Sequence, residues 1–506
     1  MLFPTIEFAA FFVVVLAVNW LLLPHRRAWK WFILAASYFF YGYADPWLMI
    51  LLATVTVVNQ VGAVQVARAT TSRARRAWLI AAVSIDLALL GWFKYFNFFA
   101  HQIDDALGKV HLGAPVPLLM IVLPIGISFY TFQGIAYVVD TFRGDFAPVG
   151  FLDFAVFQSF FPHLVAGPIV RPREFIPQLD ARHDPRAVPM TPALFLIAGG
   201  LFKKIVLADY IGTQLVDPVW GTPDLHSGPE VLAAFVGYSV QIYCDFSAYT
   251  DIAIGLALLL GFRFPQNFDR PYAASSLQMF WRRWHMSLSR WLRDYVYVPL
   301  GGNRRGGVRT YVNLFLTMLL GGLWHGASWT FVVWGGLHGF GLAVERWVNQ
   351  VRQRGAPLRH ETVTAAAVPV GLDPTQEAFR ERTQRAGVVE RSVSGGLPKA
   401  VAVAGTFAFV TFAWVFFRSP TFSVAIELLS RLADFGPAPL VTLPVVVAMA
   451  VGLSTQFVPA RLWQEIEVRV ARLPWWAQAL LFAVVLVLID AILPEQGVAP
   501  FLYFRF

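Results

Sequence analysis

Cysteine is nearly absent. Cys244 is the only one in 506 residues, which excludes an intramolecular disulfide framework and any cysteine-based zinc site. A lone cysteine inside an apolar run reads as a small core residue. Charge is also scarce: with only 14% Asp, Glu, Lys and Arg, the chain has too little polar surface to cover a soluble globule of its length. HExxH, GxSxG, the P-loop and paired metal-ligand spacings are all missing. Metallohydrolase, serine-hydrolase and nucleotide-triphosphatase readings therefore lack support, and no metal is expected. No internal repeat is visible, which weighs against a secondary transporter without excluding one. Residues 1–23 are apolar, but no positive charge precedes them and no small-residue cleavage site follows, so a retained first helix is expected.

What the chain has is hydrophobicity, at 57% of residues, with 45 Phe and 18 Trp. A spanning helix needs about 20 mostly apolar residues. Such runs fall at 5–23, 31–43, 47–66, 78–99, 118–140, 151–169, 191–210, 229–260, 310–344, 399–417, 440–457 and 474–493. The expectation is an all-α integral membrane protein in which lipid is part of the solvent. The stretch 151–169 carries Pro162, Gly167 and Pro168 and reads as re-entrant, since broken backbone survives at membrane depth only where protein or a water-filled cavity surrounds it.

The formal charge of +9 sits in short basic clusters between apolar runs, the pattern of cytoplasmic loops rather than of a nucleic-acid binder. His25, Arg26, Arg27 and Lys30 mark the first loop and Arg68, Arg73, Arg75 and Arg76 the third, whereas the loop after residue 99 holds Asp104, Asp105 and Lys109. The positive-inside rule puts the N-terminus outside. Arg461, Arg469 and Arg472 mark an inside loop before the final helix, which sends the tail, 494–506, outside as well. Between 351 and 398 hydrophobicity collapses, and a flexible cytoplasmic loop is expected.

Polar residues concentrate between Gln241 and Arg305. Asp245 and Asp251 lie six residues apart in an otherwise spanning helix. At about 100° per residue they do not share a face, so they are not a carboxylate dyad. Two readings stay open: braces for neighbouring arginines, or one carboxylate lining a substrate path. Further on, Phe280 to Tyr295 reads as one helix with Trp281, His285 and Ser289 on one face and Trp284 beside them. It is either an interfacial helix with an incidental histidine or an arginine-lined pocket for anionic groups such as those of a coenzyme, with Arg282 and Arg283 as candidates. Gly301 to Gly307, with Arg304 and Arg305, makes a basic turn that fits the cytoplasmic side.

From Met318 to Trp329 a histidine, His325, sits in an apolar helix, with Gly322 and Gly326 as a small-xxx-small pair. A second pair, Gly335 and Gly339, brackets His338. On a continuous helix the two histidines stand about 20 Å apart, so they are not expected to act together. His325 is the stronger candidate base, with a hydrogen-bonded packing role as the alternative. His163, beside Pro162, reads as packing, and His25, His183, His226 and His360 as loop residues.

Five strings then carry a family resemblance: Leu123 to Gln133, Phe161 to Arg171, Asp245 to Asp251, Phe280 to Ser289 and Gly322 to Ala327. In this order, across nearly the whole chain, they resemble the bacterial membrane-bound O-acyltransferases that acetylate alginate. Teichoic-acid D-alanylation and peptidoglycan acetylation relatives stand behind them. The resemblance implies a single membrane domain, 1–506, with about eleven transmembrane helices plus re-entrant and interfacial helices around a central tunnel. It places His325 at the family's essential histidine and His285 at its second polar position.

The same resemblance implies a multi-pass protein of the bacterial inner membrane and a cytoplasmic thioester donor, acetyl-CoA, with no bound cofactor. The acetyl group would cross to an extracytoplasmic serine-dependent acetyltransferase of the SGNH type and on to an exported, alginate-like polysaccharide. Tyr503, in the string Pro500 to Phe506, resembles an acyl relay; an aromatic interface anchor has the same composition. On this reading Arg282, Arg283, Arg304 and Arg305 hold the donor's phosphates, His325 is the base, and His285 or Ser289 donates to the oxyanion. The rivals are a polysaccharide or lipid-linked sugar exporter without acyl chemistry, and a scaffold that tolerates loss of both histidines. Release of free coenzyme A from acetyl-CoA separates the first reading from both.

Overall fold

The computed structural model describes residues 1, 3–43, 45–109, 123–165, 167–181, 183–354, 398–491 and 499–502. Most of the expected loop 351–398 therefore lies outside the described residues, as does Tyr503. Those described are helical, with no strand among them. In order they form α1 (Ile6–Leu22), α2 (Arg26–Gly42), α3 (Trp47–Arg68), α4 (Ser72–Lys109), α5 (Ile127–Arg143), α6 (Phe151–Ser159), α7 (Phe161–Leu164), α8 (Pro172–Phe175), α9 (Met190–Leu201) and α10 (Asp217–Gly221). There follow α11 (Gly228–Leu259), α12 (Leu277–Arg283), α13 (Met286–Leu292), α14 (Gly307–His325), α15 (Trp329–Arg354), α16 (Lys399–Arg418), α17 (Phe422–Arg431), α18 (Leu443–Ser454), α19 (Ala460–Ala471) and α20 (Trp475–Asp490).

Four of these, α3, α4, α11 and α16, are long and apolar enough to cross a membrane, and α1, α18 and α20 are shorter apolar helices. Helix α11 is the hub. It is buried along almost its whole length, and small residues let α9 come close: a Cβ on Gly200 would meet the Ala248 carbonyl at 2.9 Å, and one on Gly255 the Ala193 carbonyl at 2.8 Å. Beyond α9 the backbone widens into π-helical turns, Phe202–Asp209 and Gly212–Val216, an irregularity often found at functional sites.

Three expectations from periodicity are corrected. The apolar run 310–344 is not one helix: α14 ends at His325, Gly326 is extended (φ −167°, ψ 160°), and α15 returns from Trp329. The glycines act across this hairpin. A Cβ on Gly322 would collide with the Phe331 carbonyl, and one on Gly335 would stand 2.5 Å from the Met318 carbonyl, so two backbones touch where neither can carry a side chain. The run from Phe280 to Tyr295 breaks too, into α12 and α13, with His285 between them at φ +42°. Finally, the expected loop holding Asp104 and Lys109 is the end of α4, whose 38 residues span about 57 Å, far more than an apolar core of about 30 Å. In the stretch expected to be re-entrant, α6 and α7 break at Phe160, and Phe154 to Leu164 are buried in protein.

Candidate active site

The α14–α15 hairpin decides where the histidines lie. His325, the last residue of α14, is only 4% exposed. Its ring meets Trp334 edge-on at 5.0 Å, Phe417 at 5.1 Å and Trp324 at 4.9 Å. Trp334 reaches His325 because α15 doubles back, and it touches His338 one turn on along α15, at 4.9 Å; His338, His285 and Lys94 all lie within electrostatic reach of His325. The separation of about 20 Å expected between His325 and His338 held only for a continuous helix. His338 is tied elsewhere, since Trp281 Nε1 donates to its Nδ1 at 3.2 Å.

His285 is fully buried. Its left-handed backbone is unusual for a residue other than glycine and is held from outside. Asn267 Oδ1 accepts the Ser287 N–H at 3.0 Å and the Ser287 hydroxyl at 2.8 Å, and the Asn267 carbonyl accepts the Met286 N–H at 2.9 Å. His285 Nδ1 points to the same Oδ1 at 3.3 Å, an oxygen acceptor that fixes the tautomer with the proton on Nδ1. Nε2 is then a buried lone pair with no hydrogen-bond partner among the described residues. In that tautomer a neutral ring accepts at Nε2. The Ser289 hydroxyl donates to the Trp284 carbonyl at 3.3 Å. Sequence reasoning missed Asn267; its one signal was a polar residue in Pro265-Gln266-Asn267-Phe268 with nothing beside it to explain it.

Trp324 stands between the two histidines, 6.0 Å from His285 and 4.9 Å from His325. A small cleft opens beside His325, lined by Lys94, Leu123 to Phe129, Val165, Trp324 and His325. Gly126 shapes its wall: at φ +80° its missing Cβ would stand 2.6 Å from the Leu164 carbonyl, so only glycine fits.

Asp245 and Asp251 brace lysines, not arginines. Lys204 Nζ, 1% exposed, lies 2.7 Å from both Asp209 and Asp245, while Lys203 Nζ lies 2.5 Å from Asp251 and 2.8 Å from the Ser247 hydroxyl. Two carboxylates on one buried ammonium leave excess negative charge, which needs further donors. The C-terminal segment supplies them: the Leu502 N–H donates to Asp245 Oδ2 at 3.0 Å and the Ala499 N–H to Asp209. Phe501 is buried with its ring 4.5 Å from Tyr249 and 5.4 Å from Phe246, and Phe246 meets His285 edge-on at 4.6 Å. The described part of the tail therefore packs against the ring that holds His285.

Of the arginines expected to hold phosphate, Arg282, Arg304 and Arg305 are exposed and Arg283 is half-buried. Trp284 is buried among Phe268, Phe280 and Trp414. A denser basic cluster lies at the far end of α13. Arg171 pairs with Asp294 at 2.8 Å, Arg143 donates to the Asp294 carbonyl at 3.0 Å, and both lie over the Tyr295 ring. No group of three His, Cys, Asp or Glu among the described residues is disposed to hold a metal.

A buried histidine pair beside a cleft, in a many-helix membrane protein, is the setting of a membrane acyltransferase, and the relatives agree. Residues 139–371 match the membrane-bound O-acyltransferase family. The chain is 39% identical over 407 residues to the probable alginate O-acetylase AlgI of Pseudomonas aeruginosa, covering 80% of this chain and 69% of that one. To the peptidoglycan O-acetyltransferase of Helicobacter pylori it is 34% identical over 432 residues, 80% and 73% of the two chains. The teichoic acid D-alanyltransferase of Streptococcus thermophilus matches at 28% over 267 residues, 50% and 62%. The chain belongs to the membrane-bound O-acyltransferase family, in its AlgI-like branch, and is an acyltransferase.

Proposed function

We propose that this protein moves an acetyl group from cytoplasmic acetyl-CoA across the bacterial inner membrane for O-acetylation of an exported polysaccharide of the alginate class. The observation that carries this reading is the meeting of His325 and His285 around Trp324 beside a cleft, in a chain similar to proteins named for acetylating alginate and peptidoglycan. The helices complete about eleven spans around a central tunnel, with both termini periplasmic. The 351–398 segment lies on the cytoplasmic side, and an SGNH-type acetyltransferase receives the acyl group outside.

His325 acts as general base. Its imidazole takes the proton of an acceptor hydroxyl as that oxygen attacks the thioester carbonyl; the carbon–sulfur bond breaks and the thiolate leaves as coenzyme A after taking up a proton. His285 accepts a hydrogen bond at Nε2 and orients the hydroxyl. Arg282, Arg283, Arg304 and Arg305 meet the donor's phosphates from the cytoplasmic side. Tyr503 is the acceptor within the chain: its neighbours Phe501 and Leu502 pack against the Phe246–His285 ring pair and Asp245, which supports a tail that reaches the site.

The test is incubation of the purified protein with radiolabelled acetyl-CoA. Coenzyme A release and label transfer are expected from the wild type and lost in His325→Ala; transfer unimpaired by that change overturns the assignment. Polymer acetylation in cells that survives Tyr503→Phe removes the relay and leaves an anchor.

A further inference from the structure

We propose that Lys94 is a positioning residue for His325, a tether that joins the last turn of α14 to the first turn of α5 across the wall of the cleft. The proposal rests on the reading of His325 as the base. Lysine within an apolar spanning helix is costly and persists where it is partnered or used. Lys94 belongs to such a helix, yet no carboxylate among the described residues faces it. Its amino group donates to the Trp324 carbonyl and, at 3.4 Å, to the Ser128 hydroxyl, and it stands 5.8 Å from the centroid of the Trp324 ring.

The place of that carbonyl gives the tether its meaning. The last four carbonyls of a helix have no partner within it, and α14 ends at His325 itself. Glycine after a helix commonly turns left-handed and lets following N–H groups close these carbonyls; Gly326 is extended instead. Helix α4 does the closing. Tyr95 donates its hydroxyl proton to the Leu323 carbonyl at 2.5 Å, and Lys94 takes the Trp324 carbonyl. Two consecutive residues of α4 thus hold the two carbonyls immediately before His325, and a lysine there also favours the negative end of the helix dipole. Through Ser128 the same amino group holds the opposite wall, which Ile127, Ser128 and Phe129 line. Lys94 therefore sets the angle at which the His325 ring enters the cleft.

Steady-state kinetics of coenzyme A release on the purified full chain provide the test. A displacement of the base of about 1 Å costs up to about 100-fold in rate, so Lys94→Met is expected to lower kcat by roughly 10- to 100-fold. The KM for acetyl-CoA should stay close to wild type, because Lys94 touches the wall and not the donor. Lys94→Arg, which keeps a cationic donor, should restore most of kcat. A wild-type kcat in Lys94→Met overturns the tether, as does a rise in KM alone or an equal loss in the Met and Arg variants. If Lys94→Met does not fold, Tyr95→Phe, lacking one hydroxyl of the same clamp, should lower kcat several-fold, and no change there overturns the proposal. His325→Ala run alongside separates the two readings: full activity there removes the base and with it the tether's purpose, whereas an inactive His325→Ala beside an active Lys94→Met removes the tether alone.

Discussion

The backbone N–H of Leu502 donates to Oδ2 of Asp245 at 3.0 Å, across 257 residues of sequence. Asp245 thereby serves two ends at once, the buried ammonium of Lys204 and the returning C-terminal segment. Removing it leaves Lys204 paired with Asp209 alone and takes the acceptor from the buried Leu502 N–H. Asp245→Ala is expected to destabilise the protein by about 1–3 kcal/mol through the unsatisfied Leu502 N–H, read as a lower thermal midpoint in detergent. Asp245→Asn keeps an acceptor for Leu502 and should lose less. Equal midpoints for wild type and Asp245→Ala would refute the latch.

His285 combines a left-handed backbone with a buried Nε2. Asparagine tolerates that conformation, whereas a β-branched residue does not. His285→Asn should therefore fold with a thermal midpoint near wild type and lose coenzyme A release, while His285→Val should also lose stability. An active His285→Asn enzyme would show that the imidazole is dispensable.

Asn267 holds the turn that carries His285. Asn267→Ala leaves the Ser287 N–H and hydroxyl in a buried setting without their acceptor, at a cost of about 1–3 kcal/mol per group. Denaturation in detergent should register this loss, and acyl transfer should fall with it, because the turn no longer fixes the ring tautomer. A variant as stable and as fast as wild type would show that the turn holds itself.

The touching backbones of α14 and α15 give a sharper packing test. Gly322→Ala puts a methyl group into the Phe331 carbonyl, an overpacking expected to cost about 1–3 kcal/mol. Its effect should reach activity, since α14 ends at His325. Gly405→Ala, whose added Cβ meets nothing within 4 Å, is the control and should leave the rate unchanged without lowering stability.

The membrane class was legible in composition, because lipid-facing helices demand apolar length that no soluble chain carries. Most helix positions followed from the same signal. The family strings singled out His325 and His285 as expectations, and the fold sets both rings against Trp324. Local periodicity misled wherever one residue ended a helix without a proline: Gly326 and His285 each break a run that reads as continuous. Asp245 was singled out as a brace, but for arginines. Its partner Lys204 lies 41 residues away on a π-helical turn whose i→i+5 register no apolar pattern reveals.

By itself, then, the sequence determined the solvent of this protein and its helical class, both of which depend on composition and short-range spacing, and named candidates for its chemistry. Tertiary structure alone decided which of them meet. The hairpin that brings His338 back toward His325, the clamp of Lys94 and Tyr95 on the end of α14, and the tail folded onto Asp245 each join segments far apart in the chain. Such contacts arise from backbones close enough to touch and from buried polar groups that must find partners, and neither condition is written in any local stretch of residues.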